Sequence, residues 1–336
     1  MTLKNFLLFV LISVSLFSCT GDKLKVSVAE IGVDTKFVNL DSIIIYTNDK
    51  SLISNHHQLE NSITDIYNYQ LGYCLQIGNV SDTAFVNSIN QFRNDQAIAK
   101  IEKRIFQKFK DVSIQKNEII EGLKHLKLHF PKGKIPKNVV FMNSLFQSNA
   151  FCTEKEIGIG LERYLGKEMD VIKTLPSEPF YDWIKESMNS DFLVRDAICS
   201  WVITHYVPEK EGNLAENIVK WGKILYLTEA ALPNMDKNLV IRYSPNDFEW
   251  AIRNEFAVWK FLVDQKYLFK INELIESNFL KEAPFTTGLP SEGPDRLGQF
   301  IGWRMVQNYM NNNDVSLEEL IHIPYNTILQ EYEIED

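Results

Sequence analysis

The stretch RYSPNDFEWAIRNEFAVWKFLV, residues 242–263, decides the class of the second half of the chain. Ser244 offers a side-chain oxygen to the first free amides of a helix, Pro245 suits the first helical position, and Asp247 follows where an acid completes the cap. One helix is expected over 245–264. Its apolar face reads Phe248, Ile252, Trp259 and Leu262 in steps of four and three, and Glu255 falls on that same face. A carboxylate placed there must pair with a cation or take up a proton at a raised pKa. Glu255 is therefore the first candidate for a site, read either as an internal ion-pair partner that fixes helix packing or as an acid facing a ligand.

Outward from this helix, start and stop signals mark further helices over 179–188, 192–206, 214–229, 272–280, 296–310 and 317–321. The first half is more mixed. Phe85, Ile89, Phe92, Ala99, Phe106 and Phe109 predict one long amphipathic helix over 84–109, and 114–126 repeats the pattern before Pro131-Lys132-Gly133. Short apolar runs at 139–141 and 157–161 read as strands, as does the region 25–45, while 48–61 reads as loop passing into helix. The fold class expected is α+β, predominantly helical, with a small sheet in the first half. A strand-bearing part spans about 25–166 and a helical part about 167–336, in one large unit over 25–336.

The chain opens with a basic start ending at Lys4, an apolar run over 6–17, and Leu16-Phe17-Ser18-Cys19, a lipobox. Residues 1–18 are expected to act as a signal peptide, too short for a stop-transfer helix. Cys19 would then carry the acyl chains, palmitate among them, and 19–24 would form a tether containing Thr20, Gly21 and Asp22. Membrane lipid is the partner this implies, with the mature chain outside the cytoplasm in the cell envelope. The formal charge of −9 repels phosphates, so nucleic acid is not an expected partner. Cys74, Cys152 and Cys199 are widely spaced with no CxxC, compatible with one disulfide or with three separate thiols.

Catalytic signatures are missing. His125 and His129 have the i, i+4 spacing of a metal pair, yet Leu126 stands where a zinc-protease helix has its general base, and no HExxH occurs anywhere. His56-His57, His205 and His322 stand in no ligand spacing. There is no GxSxG, and Gly158-Ile159-Gly160 sits in a strand pattern without a third glycine at a helix start, so it is read as a place where a neighbouring backbone comes close. Gly298 and Gly302, one turn apart, are read as a groove for tight helix packing or for a partner, with packing the favoured account. No catalytic residue, metal or cofactor is expected.

The chain resembles the gliding-motility lipoprotein GldB family of the Bacteroidetes. The resemblance is carried by the lipobox at Cys19, IGIGLERYLG (157–166), GKILYLTEAALP (222–233), the opening stretch at 242–263, KEAPFTTG (281–288) and GPDRLGQFIGWRMVQNYM (293–310). Its most specific element is the arrangement of Trp250, Asn254, Glu255 and Trp259 followed by the Gly-Trp helix with Trp303. The resemblance implies an envelope lipoprotein needed for gliding and associated with machinery shared with type IX secretion. It also implies a distant relation to zinc peptidases of the zincin class, in which a strand-bearing half precedes the active-site helix. Here the helix over 192–206 carries Cys199-Ser200-Trp201-Val202-Ile203-Thr204-His205 where HExxH is expected, and Trp221-Gly222 stands where such enzymes supply a later Glu. A degenerate zincin-like scaffold follows, serving as a non-catalytic accessory to envelope proteins of the gliding apparatus. The candidate interaction residues are Glu255, Asn254, Trp250, Trp259, Arg296 and Trp303. Two further readings compete: a divergent hydrolase using Glu255, with or without His205, and a ligand-binding module with an aromatic cleft near Trp250, Trp259 and Trp303.

Overall fold

The computed structural model of the chain describes residues 23–77, 81–209 and 211–334, so the expected signal peptide and Cys19 lie outside the described residues. Four short strands form one sheet: β1 (Lys36–Asn39), β2 (Asn138–Met142), β3 (Ala150–Cys152) and β4 (Glu156–Gly160), in the order β1-β2-β4-β3. β1, β2 and β4 run parallel, and β3 closes the edge antiparallel with Phe151 opposite Gly158. β2 is apolar along most of its length because both of its faces are covered. Val139 and Phe141 enter the main core, while Val140 and Met142 enter a second cluster with Leu40, Ile44, Leu52, Ile66 and Phe85. On β4, Ile157 and Ile159 join the main core. A Cβ at Gly160 would meet the Ser148 carbonyl, the close backbone expected there, whereas at Gly158 it would sit 2.5 Å from the Phe151 ring, a side chain brought opposite by the antiparallel edge strand.

The first half differs from the sequence reading at three places. Of the region 25–45 only Lys36–Asn39 is strand; Asn39 then accepts the Ser42 amide and starts a short helix, Leu40–Ile44, which buries Leu40 and Ile44 at helical spacing. Where 48–61 reads as loop passing into helix, the chain is already helix α1 (Asp49–Ser62), capped by Asn48, with Leu52, His56 and Leu59 on its buried face. The long helix expected over 84–109 is two, α2 (Asp82–Asn94) and α3 (Gln96–Lys108). Asp95 separates them: its backbone is extended and its carboxylate accepts the amides of Ala97 and Ile98, which caps α3 afresh. Helix α4 (Ser113–His129) then leads to β2.

The second half is helical, as expected. Its main elements are α5 (Leu193–His205), α6 (Leu214–Ala231), α7 (Pro245–Arg253), α8 (Glu255–Asp264), α9 (Glu273–Leu280), α10 (Leu297–Asn312) and α11 (Tyr325–Gln330). α5 packs against β3 and β4 and also against α6, and α6 in turn packs along α10. At their crossing a Cβ on Gly302 would land on the Ile218 carbonyl, and one on Gly222 on the Gly302 carbonyl. Gly298 admits the Phe279 carbonyl in the same way. The expected helix over 245–264 is broken at Asn254, whose backbone leaves the helical region (φ −108°, ψ 11°) while its side-chain amide donates to the Trp250 carbonyl at 2.8 Å. The break resets the buried face. Ala251, Val258 and Leu262 are buried, whereas Ile252 is 41 % exposed.

Candidate functional site

Three loops punctuated by proline meet at the starts of α7 and α10 and the end of α9. They are Arg242-Tyr243-Ser244 before α7, Glu282-Ala283-Pro284 after α9, and Gly293-Pro294-Asp295-Arg296 before α10. Together with Trp183, Ser187 and Phe192 they line a cavity of about 560 Å³. Two of its arginines, Arg242 (φ 58°) and Arg296 (φ 51°), hold left-handed backbone, which a non-glycine residue adopts only when its surroundings enforce it.

The side chains show what enforces it. Arg242 donates to Glu282 Oε1 at 2.6 Å and to the Ser187 carbonyl at 3.1 Å, lies 4.9 Å over the Phe192 ring, and sets Nε 3.3 Å from Asp196 Oδ1. Arg296 donates to Asp295 Oδ1 at 3.0 Å and to the Arg242 carbonyl at 3.2 Å, with its guanidinium over the Tyr243 ring. Asp295 in turn receives the Ala283 amide at 3.0 Å, which ties the second loop to the third. Behind them Asp196 of α5 accepts from Tyr164 at 2.9 Å and from Arg195 at 3.2 Å. Burial works to raise the Glu282 carboxyl, but Arg242, Arg296, Arg163 and Arg195 outweigh it and hold the group below its ordinary range. Burial raises Asp295, with Arg296 opposing. The result is a fixed lattice of alternating charges beneath an open cavity, suited to gripping a polar partner, and on the cavity wall Ser244 Oγ donates to Asp247 Oδ2 at 2.7 Å as part of the α7 cap.

Of the residues singled out in the sequence, Arg296 alone takes part in this lattice. Trp250 packs on Gly293 at its margin, where a Cβ would lie 2.6 Å from the ring. Glu255 is elsewhere. Arg304 of α10 donates Nε to both of its oxygens, at 3.0 and 2.8 Å, and the Tyr332 hydroxyl donates to Oε1 at 2.8 Å. Burial raises the Tyr332 hydroxyl, helped by the Glu255 charge. Trp259 meets the Tyr332 ring edge-on. From Arg304 the chain of contacts runs to Gln307 at 3.1 Å, from Gln307 to Glu229 at 2.9 Å, and Glu229 also accepts Trp303 Nε1 at 2.7 Å. Glu255 and the buried Trp303 thus belong to one internal network. With the Trp250 ring of α7 packed against the Gly293 loop, Trp259 against Tyr332 and Trp303 inside that network, the three rings do not make one cleft.

The helix expected to stand in the place of a metal-binding helix, α5, is filled in. Cys152 of β3 donates Sγ to Ser200 Oγ at 3.3 Å, Trp201 Nε1 donates to the Lys134 carbonyl at 2.9 Å, and the His205 ring packs on Trp201 with Nε2 3.0 Å from the Thr153 carbonyl. Burial pushes the Cys152 thiol up to about 12. Cys74, Cys152 and Cys199 are three free thiols, which resolves the disulfide alternative among the described residues. Burial lowers His125 and His129, and Nδ1 of the first and Nε2 of the second are buried without a hydrogen-bond partner. Among the described residues, His56, His57 and Glu60 are the one group of three metal-type ligands with their atoms within 4.8 Å of one another, a grouping that the sequence reading of His56-His57 did not foresee.

Sequence reasoning passed over Arg242, Glu282 and Asp295. The available signal was their position, each a charged residue within three of a proline at an element boundary and inside a segment already marked as distinctive. No curated protein and no solved structure matches the chain. The family model described as gliding motility protein GldB matches residues 21–334. Because the match takes in every element described above, the chain belongs to the gliding motility protein GldB family.

Proposed function

We propose that this chain serves gliding as a lipid-anchored, non-catalytic scaffold, held at the membrane through Cys19, and that it grips a partner protein of the gliding and type IX machinery in the Arg242–Arg296 cavity. Membership of the family gives it a role in gliding motility. No helix among the described residues is long and apolar enough to cross a membrane, so attachment in this reading comes from acyl chains. The observation that carries the non-catalytic part is the filling of α5. If the fold descends from a zincin, Ser200, Trp201 and Thr204 occupy the positions of a metal-binding motif, and each is taken up by packing or by local hydrogen bonds. The hydrolase reading rests on Glu255, with or without His205, and is disfavoured because Glu255 is bound by Arg304 and Tyr332 while His205 is anchored beside Thr153.

Two measurements test the proposal. Zinc retained at one ion per chain through dialysis of the purified protein would sink the non-catalytic reading. For the cavity, Trp183 is half-buried on its wall and outside the charge lattice. Trp183→Ala should leave the melting temperature and cellular abundance near wild type while gliding is lost. Unimpaired gliding at normal abundance would remove the cavity from the proposal.

A further inference from the structure

A second polar cluster, outside the arginine lattice, lies where the chain leaves the parallel strands. This end of a parallel sheet is where open α/β folds gather ligand-binding groups. Asp41 follows β1, Asn143 and Ser144 follow β2, and Glu162 follows β4, while Gln70 and Glu102 reach in from the helical turn after residue 69 and from α3. None of the six is more than 3 % exposed.

Asn143 organises them. Its side-chain amide donates to Glu102 Oε1 at 2.8 Å, its backbone carbonyl accepts Gln70 Nε2 at 2.8 Å, and its backbone amide faces Asp41. Glu162 is satisfied on its own, by the Ser144 hydroxyl at 2.5 Å, the Ser144 amide at 3.0 Å and the Phe146 amide at 2.8 Å. Three oxygens remain without a hydrogen bond of normal geometry: Asp41 Oδ2, Glu102 Oε2 and Gln70 Oε1. Besides Asn143, the Tyr46 hydroxyl acts on Glu102 as a weaker donor, and both residues line the cavity at the edge of the cluster. The Gln70 amide cannot be turned round to relieve its oxygen, because its nitrogen is needed by the Asn143 carbonyl. No ion pair among the described residues involves Asp41 or Glu102, and the charges that act most on these two are those of other carboxylates. Arg93 is committed to the Thr47 carbonyl and Asp49, Arg163 donates to Asn149, and Lys103 is exposed.

Two buried carboxylates and an amide, each with a bare acceptor oxygen, lack a compensating cation. We propose that Asp41 Oδ2, Glu102 Oε2 and Gln70 Oε1 hold a calcium ion at this end of the sheet. The charge of the ion cancels that of the two carboxylates, and an irregular all-oxygen set drawn from side chains suits calcium better than magnesium, which demands a near-ideal octahedron and keeps its water. Glu102 also lines a cavity of about 350 Å³ with Tyr46 and Phe106, which gives the ion a route and room for water. Without the ion the same groups must keep protons: burial, with Glu102 and Glu162 adding to it, raises Asp41 well above the usual range, and burial brings Glu102 to about 7.

The test uses the purified full-length protein, stripped with EGTA at pH 8 and titrated with calcium chloride. One ion per chain should bind, and the melting temperature should rise by roughly 5 °C at a hundredfold excess over the dissociation constant. The double variant Asp41→Asn, Glu102→Gln should fold without the ion and show no calcium response. A second readout does not depend on that variant folding. Terbium bound at the site lies beside Tyr46, which is half exposed, so tyrosine-sensitised terbium emission should appear in the wild type and fall several-fold in Tyr46→Phe. An identical melting temperature in EGTA and in millimolar calcium, a calcium response retained by the double variant, or terbium emission unchanged by Tyr46→Phe would each overturn the proposal. In the first of these cases the carboxylates share protons instead.

Discussion

Glu255 sits on a boundary between two chemistries, and its partners decide which one it serves. Its side chain is 11 % exposed, whereas that of Arg304 is 38 % exposed, so a neutral residue at 255 would leave the guanidinium with water on one side. Glu255→Gln should therefore cost only about 1 to 2 kcal/mol, below the loss for breaking a fully buried pair. Thermal unfolding and immunoblotting should show reduced stability, with gliding reduced only as far as abundance falls. Lost gliding at normal abundance would make Glu255 a contact residue. The inward position of Glu255 was legible in the sequence because periodicity reports which face a residue occupies. Its partners were not legible, since Arg304 and Tyr332 lie far along the chain and pair only through space. The same holds for Arg242 and Glu282, while Arg296 was picked out only by its place in a distinctive segment.

At the level of elements, periodicity located most helices and two of the three parallel strands closely, yet it ran through the breaks at Asp95 and Asn254. In both cases an uninterrupted apolar pattern crosses a residue whose polar side chain bonds to nearby backbone, and that local competition ends the helix. Helix α4 carries a pH response of its own. Burial lowers His125 and His129 below the ordinary histidine value, so the folded protein holds fewer protons than the unfolded chain. Their contribution is complete above about pH 6.5 and is lost as pH falls through the lowered values. Urea unfolding at pH 8 and pH 5.5 should show a larger acid loss for wild type than for the double variant His125→Gln, His129→Gln, and equal losses would refute it. The α6–α10 crossing makes a different demand. Gly302→Ala would drive a methyl group into the Ile218 carbonyl, which no rotamer change relieves, and should cost about 3 kcal/mol or more in chemical denaturation. Gly32→Ala, with open space around it, should be close to neutral and serves as the control.

Across the whole molecule, the sheet separates two apolar clusters, the α5–α6–α10 stack fills the larger one, and the charge lattice and the Asn143 cluster adjoin at the turn Leu161–Tyr164, which gives Glu162 to one and Tyr164 to the other. Composition and periodicity conveyed the α+β class and the helical second half, but not how the sheet divides the interior, because that depends on which face each short strand turns to which cluster. The α6–α10 contact also sets an order of assembly. Gly222 and Gly302 meet only after the chain between them, with α7, α8, α9 and all three cavity loops, has been looped out and drawn back, a closure whose entropy is lost before the contact returns any gain. That contact should be absent from the folding transition state, so Gly302→Ala should speed unfolding in stopped-flow experiments and leave the folding rate nearly unchanged. A slowed folding rate would place the crossing in the nucleus instead. If the crossing closes last, the Arg242–Arg296 cavity has no existence in a partly folded chain, and a newly made molecule cannot present it to the partner proposed for it until the entire second half is in place.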